Sequence, residues 1–288
     1  MERTVYLNGA FVSEADAKLP IFDRGLLFAD AVYEGLGILD GQIIDFPRHM
    51  ARLRRSLGQL AIAEPMTQDA FFAVLMELVA RNGVREGFMY LHITRGTADR
   101  DYLYAADLVP NIFAFTQPQD HQGADDVPKA LSLHSTPDLR WARRDIKTSN
   151  LLGQVLAKTA AHEAGADEAL MIAPDGFITE GGATSFFIVT DGTIIARPVS
   201  NDILHGITRQ SMLAVAEAEN LAIETRKITL EEAYGADEAF LTGASSYVDP
   251  VGTIDGRRIG SGEPGPVTLQ LRREYIRAAR ASVYRPGS

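Results

Sequence analysis

The 288-residue chain contains no cysteine. That absence excludes disulfides, a thiolate nucleophile and cysteine-ligated zinc, and it leads us to expect a cytoplasmic protein. No stretch approaches the roughly 20 uninterrupted apolar residues that span a bilayer, so no membrane association is expected. The opening, MERTVYLNGAFV, has no cationic leader ahead of an apolar run, and no secretory signal is expected. Positive charge is in deficit. A formal net charge of −10 argues against a phosphate-tracking surface, and hence against a nucleic-acid partner. The histidines (His49, His92, His121, His134, His162 and His205) lack metal-ligand spacing, so no metal is expected. Nucleophile-elbow, Walker and dinucleotide fingerprints are missing, as are internal repeats and low-complexity tracts. Lysine is scarce, with five against twenty-three arginines. The arginine clusters at 52–55, 140–144 and 272–273 read mostly as solvated helix faces.

What is present is a globular composition: 46% hydrophobic and 23% charged residues, enough for a sizeable core and for two domains. TVYLN and AFVSEA alternate around Asn8-Gly9, and AVYEGLGIL and QIIDF flank Asp40-Gly41, so two hairpins are predicted. From Pro47 the apolar spacing of Met50, Leu53, Leu57 and Leu60 is helical. A second helix fits TQDAFFAVLMELVARNG, with Thr67 as cap and Gly83 as stop. Strands FMYLHITRG and NIFAFTQ close this half. The polar stretch at 117–128 reads as an interdomain linker. Beyond it we expect strand ALSLHSTP, a helix over 149–165, and strand DEALMIA. A run of strands through FITEGGATSFFIVTDGTIIARP follows. After helix GITRQSMLAVAEAENL come strand AIETRKI, a capping box from Thr229 to Glu232, strands EAFLTGA and SYVDPVGTI, and a C-terminal helix. The chain mixes α and β without regular alternation.

Several stretches carry candidate chemistry. Lys147 follows Ile146 directly, and an apolar helix face begins at Leu151. A desolvated lysine amine is a nucleophile able to form a Schiff base; the plainer reading is a surface lysine at a strand end. In TEGGATS, residues 179–185, two glycines make a bare corner beside Glu180. Such a carboxylate suits a protonated ring nitrogen, though the stretch is equally an ordinary turn. LHGITR, residues 204–209, sets the amides of Ile207 and Thr208 at a helix start, where an anion or simple capping would satisfy them. TGASS at 242–246 is a second small-residue loop suited to phosphate. Arg52 would supply charge.

In order along the chain, DFPRHMARL with Arg52, IKTSNLL with Lys147, TEGGATS with Glu180, then GITR and TGASS resemble the fold-type IV pyridoxal-phosphate enzymes, or class IV aminotransferases. The likeness runs from YLNGAFV to the final helix. It implies an α+β, two-domain fold. A small α/β domain with an antiparallel sheet spans 1–117, a linker 118–128, and a larger cofactor domain with a barrel-like sheet and flanking helices 129–288. It implies pyridoxal 5'-phosphate as cofactor, held by Lys147 as a Schiff base, with Lys147 as base and acid of the proton shift. Glu180 would face the pyridine nitrogen, and Leu204 one face of the ring. Arg52, Ile207, Thr208, Ala244 and Ser245 would cradle the phosphate. The partners implied are amino acids, 2-oxo acids and a second copy of the chain.

Among the branches, DLRWARRDIKTSNLLGQVLAKTAAHEAG, ITRGTADRDY and FADAVYEG resemble the D-amino-acid aminotransferases most. That branch clamps the substrate carboxylate, and the match assigns Arg100, Tyr33 and Tyr102 to the clamp. Departures exist: Tyr102 stands where a histidine is usual, and Ser185 where an asparagine is usual. VYEGLGILDG also looks like the branched-chain type. The expected activity is transamination of D-amino acids such as D-alanine and D-glutamate. The alternatives are a branched-chain L-amino-acid aminotransferase, an (R)-amine transaminase, a 4-amino-4-deoxychorismate lyase, or a non-enzymatic dimer on the same fold. Arg100 has a plainer reading too, as a loop arginine in solvent.

Overall fold

A computed structural model describes residues 2–118 and 123–287. The chain divides into two compact units. The first comprises Met1–Asp120, Ile146–Asn150 and Ser282–Ser288; the second comprises His121–Asp145 and Leu151–Ala281. The segment that carries Lys147 therefore groups with the N-terminal unit although its flanks belong to the other.

The first unit contains β1 (Thr4–Leu7), β2 (Ala10–Ser13), α1 (Arg24–Phe28), β3 (Ala31–Leu39), β4 (Gln42–Ile43), α2 (Phe46–Gln59), α3 (Gln68–Asn82), β5 (Gly87–Thr94) and β6 (Ile112–Pro118). Its strands form one antiparallel sheet in the order β2-β1-β6-β5-β3-β4. Both predicted hairpins form, with Asn8, Gly9, Asp40 and Gly41 at positive φ, as tight primed turns require. α3 starts where Thr67 accepts a hydrogen bond from the Ala70 amide and stops at left-handed Gly83. The two sheet faces differ. Val32, Leu36, Ile38, Met89, Leu91 and Ile93 join Met50, Leu53 and Leu57 of α2 and Leu75 and Leu78 of α3 in one core. Each such buried aliphatic side chain contributes about 1.5–3 kcal/mol. The opposite face carries aromatic rings: Tyr33 stacks on Tyr90 at 5.2 Å, and Tyr90 on Phe115 at 5.0 Å. His92 stacks on Phe113 at 4.6 Å.

The second unit contains β7 (Leu131–Pro137), α4 (Leu152–Glu163), β8 (Glu168–Ile172), β9 (Ile178–Gly181), β10 (Ser185–Thr190), β11 (Thr193–Ala196), α5 (Ile207–Ala218), β12 (Ile223–Thr225), α6 (Leu230–Tyr234), β13 (Glu238–Gly243), β14 (Tyr247–Ile254), β15 (Arg257–Arg258) and α7 (Pro266–Ala281). A nine-stranded mixed sheet runs β12-β11-β10-β13-β14-β7-β8-β9, with β15 on β14. The sheet curls in the barrel-like manner expected. β9, last in that path, returns beside β10, where the Gly181 amide donates to the Thr184 carbonyl at 2.8 Å. Pro250 sits inside β14, a central strand and an unusual place for a residue without an amide proton; the ladder to β7 shifts register just beyond it, between Val251 and Thr253.

Two expectations change. The helix expected from 149 begins only at Leu152. Residues just before it are extended: Thr148 bridges to Val32, and the Ser149 amide donates to the Ala31 carbonyl at 3.3 Å. Their backbone groups serve β3, so the helix starts later. The arginine clusters are also not simply solvated. Arg52, Arg140 and Arg272 each bury their guanidinium in an ion pair, and the 140–144 stretch is not helical. Of the predicted linker, residues 119–122, including His121, lie outside the described residues. The part that follows is tied to α7, since Arg272 donates to the Gly123 carbonyl at 3.0 Å and Arg280 to Asp125 at 2.8–2.9 Å. No helix among the described residues is long and apolar enough to cross a membrane.

Candidate active site

In the first unit, β3 presents Tyr33 on the aromatic face, and the 146–150 segment runs antiparallel beside it. The Tyr33 amide donates to the Lys147 carbonyl at 3.0 Å, and the Lys147 amide to Ser56 Oγ at 3.4 Å. Ile146, next to Lys147, is buried in the core under the sheet. This anchoring fixes Lys147: its Nζ donates to Tyr33 Oη at 3.2 Å and lies 4.2 Å from the centre of the Tyr33 ring. The amine is half-buried. A cation over an aromatic face gains electrostatic attraction, and the phenol oxygen gives the amine a partner that can exchange a proton.

Alternation on β3 turns the next residue, Glu34, to the opposite face, where it is fully buried between Arg52 and His49 of α2. Arg52 donates to Glu34 through Nε at 2.9 Å and a terminal nitrogen at 2.7 Å. Burial alone would raise the Glu34 carboxyl, but the Arg52 charge and hydrogen bonds, with His49, override it and hold the group at about 2. His49 Nδ1 lies 2.7 Å from Glu34, close enough for an ion pair. Burial nevertheless pulls the His49 imidazole down, against the raising effect of Glu34. We take His49 as a neutral donor, because Arg52 already balances the one carboxylate.

The second unit holds the Glu180 corner. Glu180 ends β9, buried, with Arg140 donating to one carboxylate oxygen at 2.5 Å and the Leu204 amide to the other at 3.0 Å. Arg140 also forks onto Asp138, at 3.0 and 2.7 Å, and Thr179 donates to that same carboxylate at 2.7 Å. Burial raises the Glu180 carboxyl, and the Arg140 charge and hydrogen bond only partly oppose it. The corner is dry, with charges that depend on one another. α5 starts at Gly206 without a side-chain cap. A Cβ at Gly206 would meet Ser185 Oγ at 2.9 Å, so the hydroxyl and the helix start lie side by side. Ser185 pairs with Thr242 across β10 and β13, and Thr242 leads into the Ala244–Ser245 loop.

Whether this chain's residues fit a flat, phosphorylated cofactor can be tested on the corner itself. Among the described residues, the buried hydroxyls of Thr184 and Thr242 have no hydrogen-bond partner. The uncapped first turn of α5 adds amides with positive dipole character, and Arg209 is buried in that turn. Orphaned donors, a helix start and a buried cation fit a phosphate, and Glu180 fits a protonated ring nitrogen.

The sequence-predicted residues thus fall into three groups. Glu180, Leu204, Ile207, Thr208, Ala244 and Ser245 lie in the second unit. Lys147, Tyr33 and Arg52 lie in the first, Arg52 on the sheet face opposite Tyr33. Arg100 and Tyr102 lie in the loop after β5. There Arg100 sits over the Phe28 and Tyr102 rings at 5.5 and 5.4 Å, and Tyr102 is 76% exposed. Among the described residues neither hydrogen-bonds to Tyr33. Sequence reasoning missed Glu34, His49, Asp138 and Arg140. The one available signal was the Asp138-x-Arg140 spacing just ahead of the lysine segment.

The antiparallel sheet of the first unit and the curled larger sheet of the second are those of the fold-type IV pyridoxal-phosphate enzymes. The profile of the amino-transferase class IV family matches residues 31–254, and the chain belongs to that family. It is a pyridoxal-phosphate-dependent aminotransferase, with amino acids and 2-oxo acids as substrates. The chain is similar to D-alanine aminotransferase of Bacillus licheniformis, at 38% identity over 93% of this chain and 94% of that one. It is also similar to a putative branched-chain-amino-acid aminotransferase of Methanocaldococcus jannaschii, at 35% identity over 94% of each. Among solved structures, the T.th. branched-chain amino acid aminotransferase with pyridoxamine 5'-phosphate aligns with a TM-score of 0.87 at 29% identity, covering 99% of this chain and 96% of that one.

Proposed function

We propose that the enzyme moves the amino group of a D-amino acid, of the D-alanine or D-glutamate type, to a 2-oxo acid. The observation that carries transamination is the Lys147–Tyr33 pair, an anchored amine with a phenol oxygen 3.2 Å away. The cofactor, when bound, supplies an aldehyde to take up the amino group and a ring to delocalise the electrons left at the substrate Cα. Lys147 Nζ would hold the cofactor through its aldehyde and would carry the proton removed from the substrate Cα. Tyr33 Oη orients that amine. Glu180 would hold the ring nitrogen, whose proton would give a charge partner to a carboxylate whose burial disfavours its ionised form. Arg140 keeps Glu180 in place. Leu204 would pack on the ring, and Ile207, Thr208, Ala244, Ser245 and Arg52 would hold the phosphate, Arg52 while fixed by Glu34. Arg100, Tyr102 and Tyr33 clamp the substrate carboxylate.

The D-amino-acid reading is supported by the likeness to D-alanine aminotransferase and by the ITRGTADRDY segment that carries Arg100. A second reading, a branched-chain L-amino-acid aminotransferase, is favoured by the relatives of that name and by the VYEGLGILDG stretch, which resembles that type. We also propose a homodimer, supported by the exposed apolar side chains Ile21, Phe22, Leu26, Tyr102 and Leu103. Residues 1–117 and 129–288 are proposed as the two domains, joined by 118–128, and the cysteine-free composition supports a cytoplasmic location.

The test is a half-reaction panel on the holoenzyme with D-alanine, D-glutamate, L-leucine and (R)-1-phenylethylamine, following the absorbance of the aldehyde form. Loss of that absorbance with the D-amino acids supports the proposal. A response to L-leucine alone overturns it and moves the second reading into first place.

A further inference from the structure

The loop between β5 and β6 is latched at its base by backbone hydrogen bonds and at its tip by two arginines, Arg24 through hydrogen bonds and Arg95 by lying 3.6 Å from the centre of the Tyr104 ring. At the base, the Arg24 amide donates to the Gly96 carbonyl at 2.9 Å, the Ala98 amide to Phe22 at 3.3 Å and the Thr94 amide to Asn111 at 2.9 Å. Gly96, at φ +115°, lets the two ends close, since a Cβ there would strike the Val109 carbonyl. Beyond the base the picture changes. Among the described residues, every hydrogen bond tying 99–108 to the rest of its unit is donated by the Arg24 guanidinium: to the Asp101 carbonyl at 2.6 Å, and to Leu103 and Tyr102 at 3.4 Å each. Arg24 is 3% exposed, while Tyr102 and Leu103 are 76% and 81% exposed. The guanidinium is itself held by Asp30 at 2.9 Å and lies 4.7 Å from the Phe28 ring. Phe28 in turn stacks near Tyr102 at 5.6 Å and under Arg100.

We propose that Arg24 is a positioning residue for substrate recognition: a buried fork that grips three successive carbonyls and so sets where Arg100 and Tyr102 point. A planar guanidinium suits this task, because it offers several donors in one rigid geometry, which an ammonium does not. The grip falls on backbone, so it holds whatever side chains the loop carries. The inference rests on the proposed clamp role of Arg100 and Tyr102.

Removing Arg24 does not orphan its buried partner, because Arg95 donates to the same Asp30 oxygen at 2.7 Å. Arg24→Met is therefore expected to fold. With the best amino donor from the panel, KM should rise about tenfold while kcat stays within about threefold, the signature of lost uniform binding. The absorbance of the bound cofactor should not change. Arg24→Lys keeps the charge beside Asp30 without the fork, should raise KM about threefold, and carries the test if the Met variant fails to fold.

Arg100→Met and the double variant separate this inference from the reading beneath it. If Arg100→Met raises KM and Arg24→Met adds less on top of it than it does to the wild type, both stand; a full additive effect overturns the positioning role. If Arg100→Met leaves KM unchanged, the clamp reading fails, and this inference with it. If Arg100→Met raises KM but the folded Arg24 variants keep the wild-type KM, or lose kcat and cofactor absorbance instead, the positioning role alone is overturned.

Discussion

At the Glu180 corner each charge is buried and answered by another: Arg140 lies between Asp138 and Glu180, and the Leu204 amide takes the remaining carboxylate oxygen. In the loop between β5 and β6, the side chains proposed to meet substrate are exposed on the single chain, and what is buried is the arginine that holds their backbone. The difference tracks what each region must do. A cofactor is the same in every turnover, so a corner of interlocked charges loses nothing by being rigid. A substrate pocket must suit the side chain of its amino donor, and a loop gripped through its carbonyls can exchange side chains without losing its position. On the roles proposed above, the corner serves the cofactor, whereas the choice between D- and branched-chain L-amino acids falls to the loop.

The sharpest test of the buried side is Lys147→Ala. It removes the Schiff-base amine and the proton carrier together, and kcat should fall by at least about 10⁴-fold. Single-turnover assays with excess cofactor measure this; a loss below about tenfold would mean another group moves the proton.

Next in size is Arg52→Met, which strips Glu34 of its cation in a fully buried site. Breaking such a pair costs about 3–5 kcal/mol, read from the urea midpoint. Adding Glu34→Gln should recover much of it. The pH dependence follows from the same pair. Glu34 is depressed from 4.5 to about 2 in the fold, so its stabilising contribution, on the order of 3 kcal/mol, is complete above about pH 4.5 and is lost as the pH falls towards 2. His49 acts in the same direction. Its folded form resists protonation, so stability begins to fall as the pH drops below the ordinary imidazole range. Arg24→Met, with Asp30 still paired to Arg95, should show no comparable loss, and a loss of similar size there would erase the contrast.

Arg140→Met probes the corner more gently. The Arg140 charge lowers a Glu180 carboxyl that burial raises, so removing it pushes that group further up. More of the carboxyl is then neutral at a given pH, and the acid limb of the kcat profile should move to higher pH, with kcat down about 100-fold at neutrality. An unmoved acid limb would detach Arg140 from the function of Glu180.

Much of this architecture was legible in the sequence, because local rules decided it. Asn8-Gly9 and Asp40-Gly41 force tight turns, and Thr67 and Gly83 bound α3. The motif order exposed the family. Partners far apart in sequence were not legible. Arg140 meets Glu180 forty residues away, and Arg24 meets carbonyls nearly eighty residues away, so both looked like ordinary surface arginines. α1 escaped notice because five residues are too few for a periodic signal; its start rests on Asp23, whose side chain accepts from the Leu26 amide. The late start of α4 was hidden for a related reason: Thr148 has the local sequence of a helix entry but spends its backbone beside β3.

The smallest expected effect tests the exposed side. Tyr102→Phe deletes one hydroxyl and keeps the ring against Phe28 and Arg100. Because Tyr102 is 76% exposed, stability should stay within about 0.5 kcal/mol of wild type. If the hydroxyl helps hold the substrate carboxylate, KM should rise about threefold, less than a buried hydrogen bond to a charged group is worth because Arg100 still answers the carboxylate. A folding loss above about 1 kcal/mol would mean that the tip braces the fold, and the division between a rigid cofactor corner and an adaptable substrate loop would have to be redrawn. An unchanged KM would move the clamp's specificity from Tyr102 to Arg100, where the guanidinium alone recognises the carboxylate.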